Sequence, residues 1–235
     1  MVSRPWVRIG GMAGILAVIL LVSAGFVTGN TLSDDSSAAQ IADFLTSHRS
    51  GVLTQTVLDV VGSAFSLCYG ATLARILHAR DPHSPLGFLV LGAGAAMATI
   101  ASFDGVTLTA LEFLSKQGGL TDPALTRVFY DLQNGLIMPG LFGCVTAVFL
   151  VSVGAAAVGG IVAARWVGWL SLVLAALSVL SSAIGLTLAN GGTSALGFFP
   201  AIGFAVIALI TSTFMLRERE AGVSPPPPNS ARVAA

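Results

Sequence analysis

The chain has 235 residues, of which 54% are apolar and 9% charged, with a mean hydropathy of +0.87. An ordinary soluble domain carries about a quarter charged residues, so this composition excludes a soluble globular protein and places the chain among membrane proteins. Eleven basic residues balance eleven acidic ones, which leaves no net charge to suggest nucleic acid or an acidic partner.

A spanning helix needs about 20 mostly apolar residues, because the hydrocarbon core is about 30 Å thick and a helix rises about 1.5 Å per residue. Six stretches qualify: Ile9 to Thr28, Gly51 to Leu77, Leu86 to Leu111, Leu132 to Val158, Trp166 to Ala189 and Ala195 to Leu216. The first has features of a signal peptide, with Arg4 and Arg8 before an apolar core and a small-residue pattern at Val22 to Ala24. Its apolar run continues through Phe26 and Val27, long enough to span, so it reads as a membrane anchor.

Between the first two spans, Ser33 and Asp34 suit a helix N-cap. Ala38, Ile41, Ala42 and Leu45 then recur at helical spacing, opposite Gln40, Asp43 and Ser47. This predicts a short amphipathic helix on the outer surface. In the third span Gly94, Ala98, Ser102 and Gly105 share a face of small residues, the pattern that lets helix backbones approach closely in lipid.

Before the fourth span, Asp122 and Pro123 start a second amphipathic helix, with Ala124, Leu125, Val128, Phe129 and Leu132 as its apolar stripe. Continued to Val158 it would be about 55 Å long, well beyond the bilayer, so its first turns stand outside or kink at Gly135, Pro139 or Gly140. The fifth span opens with Arg165, Trp166 and Trp169, an arginine at the headgroups and two tryptophans in the interfacial belt. The stretch from residue 219 to 235, with prolines at 225 to 228, predicts a disordered tail.

Positive residues are retained on the cytoplasmic side. Arg4, Arg8, Arg75, Arg80, Arg165, Arg217, Arg219 and Arg232 fall in one set of connections, and Arg49, Lys116 and Arg127 in the other. This puts both termini in the cytoplasm. The fold expected is an all-α bundle of six spans, residues 1 to 218, with two short external amphipathic helices.

Ionisable groups within spans are costly and usually face the bundle interior. Asp59 in the second span lies about 12 Å from the outer end, Asp104 in the third about 10 to 13 Å, and Asp131 near the interface at the start of the fourth. Glu112 adds a carboxylate near the same mouth. The three aspartates are a candidate cation or proton site. The competing expectation is local pairing, with Arg127 reaching Asp131 at i+4 and Asp59 and Asp104 bonded to Gln55, Thr107, Tyr130, Gln133 or Asn134.

Cys68 and Cys144 sit inside apolar runs and read as small hydrophobes. His48, His78 and His83 fall at helix ends or in loops, which argues against an intramembrane zinc hydrolase. His78, His83, Arg75 and Arg80 form a basic surface suited to anionic headgroups. No phosphate loop, dinucleotide fingerprint or nucleophile elbow occurs. No cofactor or metal is expected. Pro139 and Pro200 break spans as transporter helices are broken, which is weak support for transport.

Three stretches, Arg8-Ile-Gly-Gly-Met-Ala-Gly-Ile-Leu16, Ala39-Gln-Ile-Ala-Asp-Phe-Leu-Thr-Ser-His-Arg49 and Ala164-Arg-Trp-Val-Gly-Trp-Leu170, together resemble a family of small actinobacterial-type membrane proteins. That family has six spans and is classed as a domain of unknown function. The resemblance implies a shared fold over residues 8 to 218 and no activity or site residue. The leading functional expectation is a non-enzymatic interaction or envelope-associated scaffold in a bacterial inner membrane, with the bilayer as its partner and homo-oligomers left open. The alternative is a small cation- or proton-coupled carrier using Asp59, Asp104 and Asp131.

Overall fold

The computed structural model describes residues 4–27, 36–116, 123–132, 140–187 and 194–217, and among these every element is helical. The helices are α1 (Arg4–Val27), α2 (Ala38–Ser47), α3 (Arg49–Arg80), α4 (Leu86–Lys116), α5 (Pro123–Asp131), α6 (Gly143–Val158), α7 (Arg165–Thr187) and α8 (Ser194–Arg217). Six of them, α1, α3, α4, α6, α7 and α8, are long and apolar enough to cross a membrane. Only helices suit such a chain, because in hydrocarbon each backbone N–H and C=O needs a partner within the segment. The chain is therefore an all-α, multi-pass membrane protein.

The six spans form a closed ring, each packed on its neighbours in the order α1, α3, α4, α6, α7, α8 and back to α1, with α6 also touching α8. Tyr69, Phe149, Leu150, Val153 and Ile207 are fully enclosed in its interior. The rings of Tyr69, Phe149 and Phe204 meet at centroid distances of 5.5 to 6.4 Å. The perimeter is apolar as well: Trp6, Phe26, Val57, Phe88 and Leu180 are exposed on it. Apolar inside and outside is the signature of a bundle solvated by lipid. Cys68 and Cys144 are free thiols on this perimeter.

Lipid offers little hydrophobic drive for one helix to leave it for another, so close backbone contact and interhelical hydrogen bonds hold the ring. The small face of α4 supplies such contact. A side chain on Gly105 would meet Thr56 Cα at 3.1 Å, and Gly70 and Gly94 face each other across the same seam. In the second half, Gly168 lies on α6 so closely that a Cβ there would sit 2.6 Å from Val158 N. The Ser171 hydroxyl donates to Leu150 O at 2.8 Å across the same seam.

The two short helices form a cap at one end of the bundle. Ser37, rather than Ser33 or Asp34, is the N-cap of α2: its hydroxyl accepts from Gln40 N at 3.3 Å, and Gln40 Oε1 accepts from Ser37 N at 2.7 Å. Ser33 and Asp34 lie outside the described residues. Ile41 and Leu45 face inward as the spacing predicts, clustering with Val52 of α3, Leu111 of α4 and Tyr130 of α5. The His48 ring, at the joint between α2 and α3, stacks on Phe44 at 4.4 Å.

In α5, Thr126 and Tyr130 are buried, while Val128 and Phe129 of the apolar stripe, with Leu132 just beyond the helix, are exposed. At the level of a membrane an apolar stripe gains as much from lipid as from the protein core, so the inward face is free to be the polar one. Residues 133–139, between α5 and α6, lie outside the described residues, and the described part of the fourth span runs from Gly140 to Val158. Of the proposed bends, Gly135 and Pro139 lie outside the described residues, as do Asp122 and the tail from 219.

Opposite the cap lies an end that carries Arg75, Arg80, Arg165 and Arg217. Trp166 and Trp169 protrude there, 57% and 62% exposed, on the first turns of α7, as interface anchors should. Gly168→Ala is expected to destabilise the protein by about 1–3 kcal/mol, because its Cβ meets backbone that cannot yield. Gly92→Ala, where a Cβ meets nothing within 4 Å, is the matched control. Thermal melts in detergent decide it, and equal melting of the two variants would remove the close-contact argument.

Candidate functional site

The aspartates expected to converge divide into a pair and an outlier. Asp59 and Asp104 are 8% and 9% exposed on the facing sides of α3 and α4. Each lies seven residues, about 10 Å, below a residue that floors the cap: Val52 above Asp59 and Leu111 above Asp104. The backbone of α4 beside Asp104 packs against this part of α3. Gly105 makes this approach possible, because a Cβ there would fall 3.5 Å from Asp59 Cβ.

Asp131 does not join them. It is the last residue of α5, and its Oδ2 accepts from Arg127 Nε at 2.9 Å. Arg127 also donates to Ser36 O at 2.6 Å, so this pair fastens α5 to the start of α2. Side chains 36% and 51% exposed make it a surface ion pair, of the kind worth about 0–1 kcal/mol. The side chain of Glu112 lies outside the described residues.

One turn above the buried pair is a compact group of oxygens. Thr56 Oγ1 lies 2.8 Å from Gly105 O, 3.0 Å from Val52 O and 2.7 Å from Thr109 Oγ1. A hydroxyl has one proton, so Thr56 donates to one carbonyl at a time and accepts from Thr109. Asp59 Oδ2 belongs to none of these bonds: it is buried with no hydrogen-bond partner among the described residues. Thr107, one of the partners expected for the aspartates, donates instead to Phe103 O at 2.8 Å.

Below Asp59 the same face of α3 carries Ser63, Ser66 and Tyr69, all buried. Ser66 donates to Ser63 O at 2.9 Å, yet Ser63 Oγ itself has no partner among the described residues. Tyr69 reaches across the ring to α8, where its hydroxyl lies 2.5 Å from Thr211 Oγ1. Thr211 spends its own proton on Ile207 O at 2.6 Å, so the tyrosine is the donor. Ser212 Oγ and, on α6, Thr146 Oγ1 are also buried without partners among the described residues. The result is a row of buried polar groups running from the carboxylates into the middle of the ring.

The sequence reading passed over this row, although its signal is visible. Asp59, Ser63, Ser66 and Tyr69 are spaced 4, 3 and 3 residues apart, one helical face, within an otherwise apolar span. Tyr69→Phe and Thr211→Val are each expected to cost about 1 kcal/mol. In a double-mutant cycle read by thermal unfolding they should couple by about 0.6–1.7 kcal/mol, as hydrogen-bonded pairs in membrane bundles do. Strict additivity would mean that the hydroxyls do not bond in the folded protein. Compared with family models, curated proteins and solved structures, the chain matches none.

Proposed function

We propose that this chain is a small cell-membrane carrier that takes up a proton or a monovalent cation at Asp59 and Asp104, with both termini in the cytoplasm and the cap outside. The observation that carries the reading is Asp59 Oδ2, buried in the membrane beside a second buried carboxylate and left without a hydrogen-bond donor among the described residues. On insertion scales an aspartate at a helix centre costs about 2.5–3.5 kcal/mol. Two nearby carboxylates also repel when both are charged, so a proton or a bound cation lowers the cost of burying them. The Thr56 and Thr109 hydroxyls and the Gly105 carbonyl, nearby on the same two helices and bonded to one another, are oxygens of the kind a hard cation takes.

Orientation rests on the arginines. Among the described residues the end opposite the cap holds Arg4, Arg8, Arg75, Arg80, Arg165 and Arg217, and the capped end Arg49, Lys116 and Arg127. The basic end suits the cytoplasm.

A second reading, a non-enzymatic scaffold, is favoured by one observation. Val128, Phe129 and Leu132 of α5 present an exposed apolar strip outside the six-helix ring, and such a strip suits a protein partner as well as lipid.

The two readings part on ligand-dependent stability. Purified protein is unfolded thermally in lithium, sodium and potassium salts and across pH, as wild type and as Asp59→Asn. The carrier reading expects one cation, or acidification, to stabilise wild type. A cation at a hundred times its Kd gives about 2.7 kcal/mol; a proton makes stability rise as pH falls, because the folded state then binds more protons than the unfolded one. Asp59→Asn should be insensitive and at least as stable as the ion-free wild type. If wild type and variant respond alike to every cation and to pH, the pair is structural and the scaffold reading stands.

A further inference from the structure

The end opposite the cap contains a cavity that the buried carboxylates do not involve. It has a volume of about 300 Å³, is open on one side, and is lined by Ile76 and Arg80 of α3, Val162 of the 159–164 turn, and Phe214, Met215 and Arg217 of α8. Its construction begins with that turn. Gly160 adopts a positive φ of 75°, and the turn closes through Ile161 N to Ala156 O at 2.8 Å and Gly159 N to Ala155 O at 3.0 Å. Arg80 then reaches over from the last turn of α3 and donates a guanidinium N–H to Ile161 O. This tie fixes one cationic group at the rim. Arg217, at the last residue of α8, supplies the other.

Four of the six lining residues are apolar and two are cationic, so the cavity complements a molecule with an anionic head and a hydrocarbon continuation. Its height in the molecule narrows the choice. The cavity lies at the same end as Arg165, Trp166 and Trp169, whose exposure marks the headgroup layer. In that layer the abundant amphiphilic anion is phospholipid. A volume at the lower limit of ligand sites admits a phosphoglycerol head and the first methylenes, and not two whole acyl chains. Asp81 follows Arg80, and Glu218 and Glu220 lie outside the described residues.

We propose that this cavity holds the phosphate of an anionic phospholipid between Arg80 and Arg217, with the start of its acyl chains against Ile76, Val162, Phe214 and Met215. Guanidinium groups suit the task because their planar donors match phosphate oxygens two at a time. A lipid seated there joins α3, α8 and the α6–α7 turn, of which Arg80 ties α3 to the turn.

The test titrates delipidated protein in neutral detergent with phosphatidylglycerol, phosphatidylcholine or inorganic phosphate, reading melting temperature and bound lipid by native mass spectrometry. Arg217→Gln carries the test, because Arg80→Gln also removes the tie to the turn. Phosphatidylglycerol should bind and stabilise wild type where phosphatidylcholine does not. Arg217→Gln should weaken that binding about tenfold or more, the loss of a charge-assisted contact. Val162→Trp, which fills the cavity while keeping both arginines, should lose the same lipid. Arg75→Gln, which removes an exposed charge at the same end without touching the cavity, should retain it. The proposal is overturned if the two lipids act alike, if Arg75→Gln loses as much affinity as Arg217→Gln, or if inorganic phosphate displaces the lipid completely.

Discussion

The structure depends on the seam between α3 and α4, where small residues bring two backbones together and two carboxylates with them. Gly105 is the hinge of the arrangement in chemical terms: without a side chain it lets Thr56 bond to its carbonyl and lets Asp59 stand beside it. A larger residue would separate the helices and admit lipid between them. The same small-residue face that explains how the bundle holds together in a solvent without hydrophobic drive therefore also explains why two like charges end up adjacent. Packing and a candidate binding function share one set of atoms.

Energetically, that sharing is the unusual part. Polar groups buried in the second half of the ring mostly find carbonyls within reach: Ser171 bonds to Leu150 O, Ser178 to Leu174 O and Ser182 to Ser178 O. Asp59 Oδ2, Ser63 Oγ, Thr146 Oγ1 and Ser212 Oγ are buried with no hydrogen-bond partner among the described residues. A buried polar group without a partner is costly wherever water cannot reach it.

Much of the fold was legible in the sequence because lipid imposes a simple length rule. Five of the six spans were placed within a few residues of α1, α3, α4, α7 and α8, and the inward face of α2 was read from Ile41 and Leu45. The passage from α5 into the fourth span lies outside the described residues, and the Arg127–Asp131 pair was legible as an i+4 spacing. The adjacency of Asp59 and Asp104 followed from antiparallel neighbours of known length. The polar row toward Tyr69 was legible as one face of α3, whereas its bond to Thr211 and the arginine cavity depend on which faces of non-consecutive helices meet, and no local pattern encodes that.

The cap gives the buried pair a kinetic character of its own. Approach to Asp59 from that end runs through the patch of Ile41, Leu45, Val52, Leu111 and Tyr130. Two of those five side chains come from α2, a ten-residue helix too short to be stable by itself and therefore dependent on its seat. On the proposed reading, how firmly the carboxylates would hold a neutralising ion is set by α3 and α4, and how long that ion would stay is set by the seat of a short surface helix. Affinity and residence time would then reside in different parts of the chain and be altered separately by substitutions that never touch an aspartate.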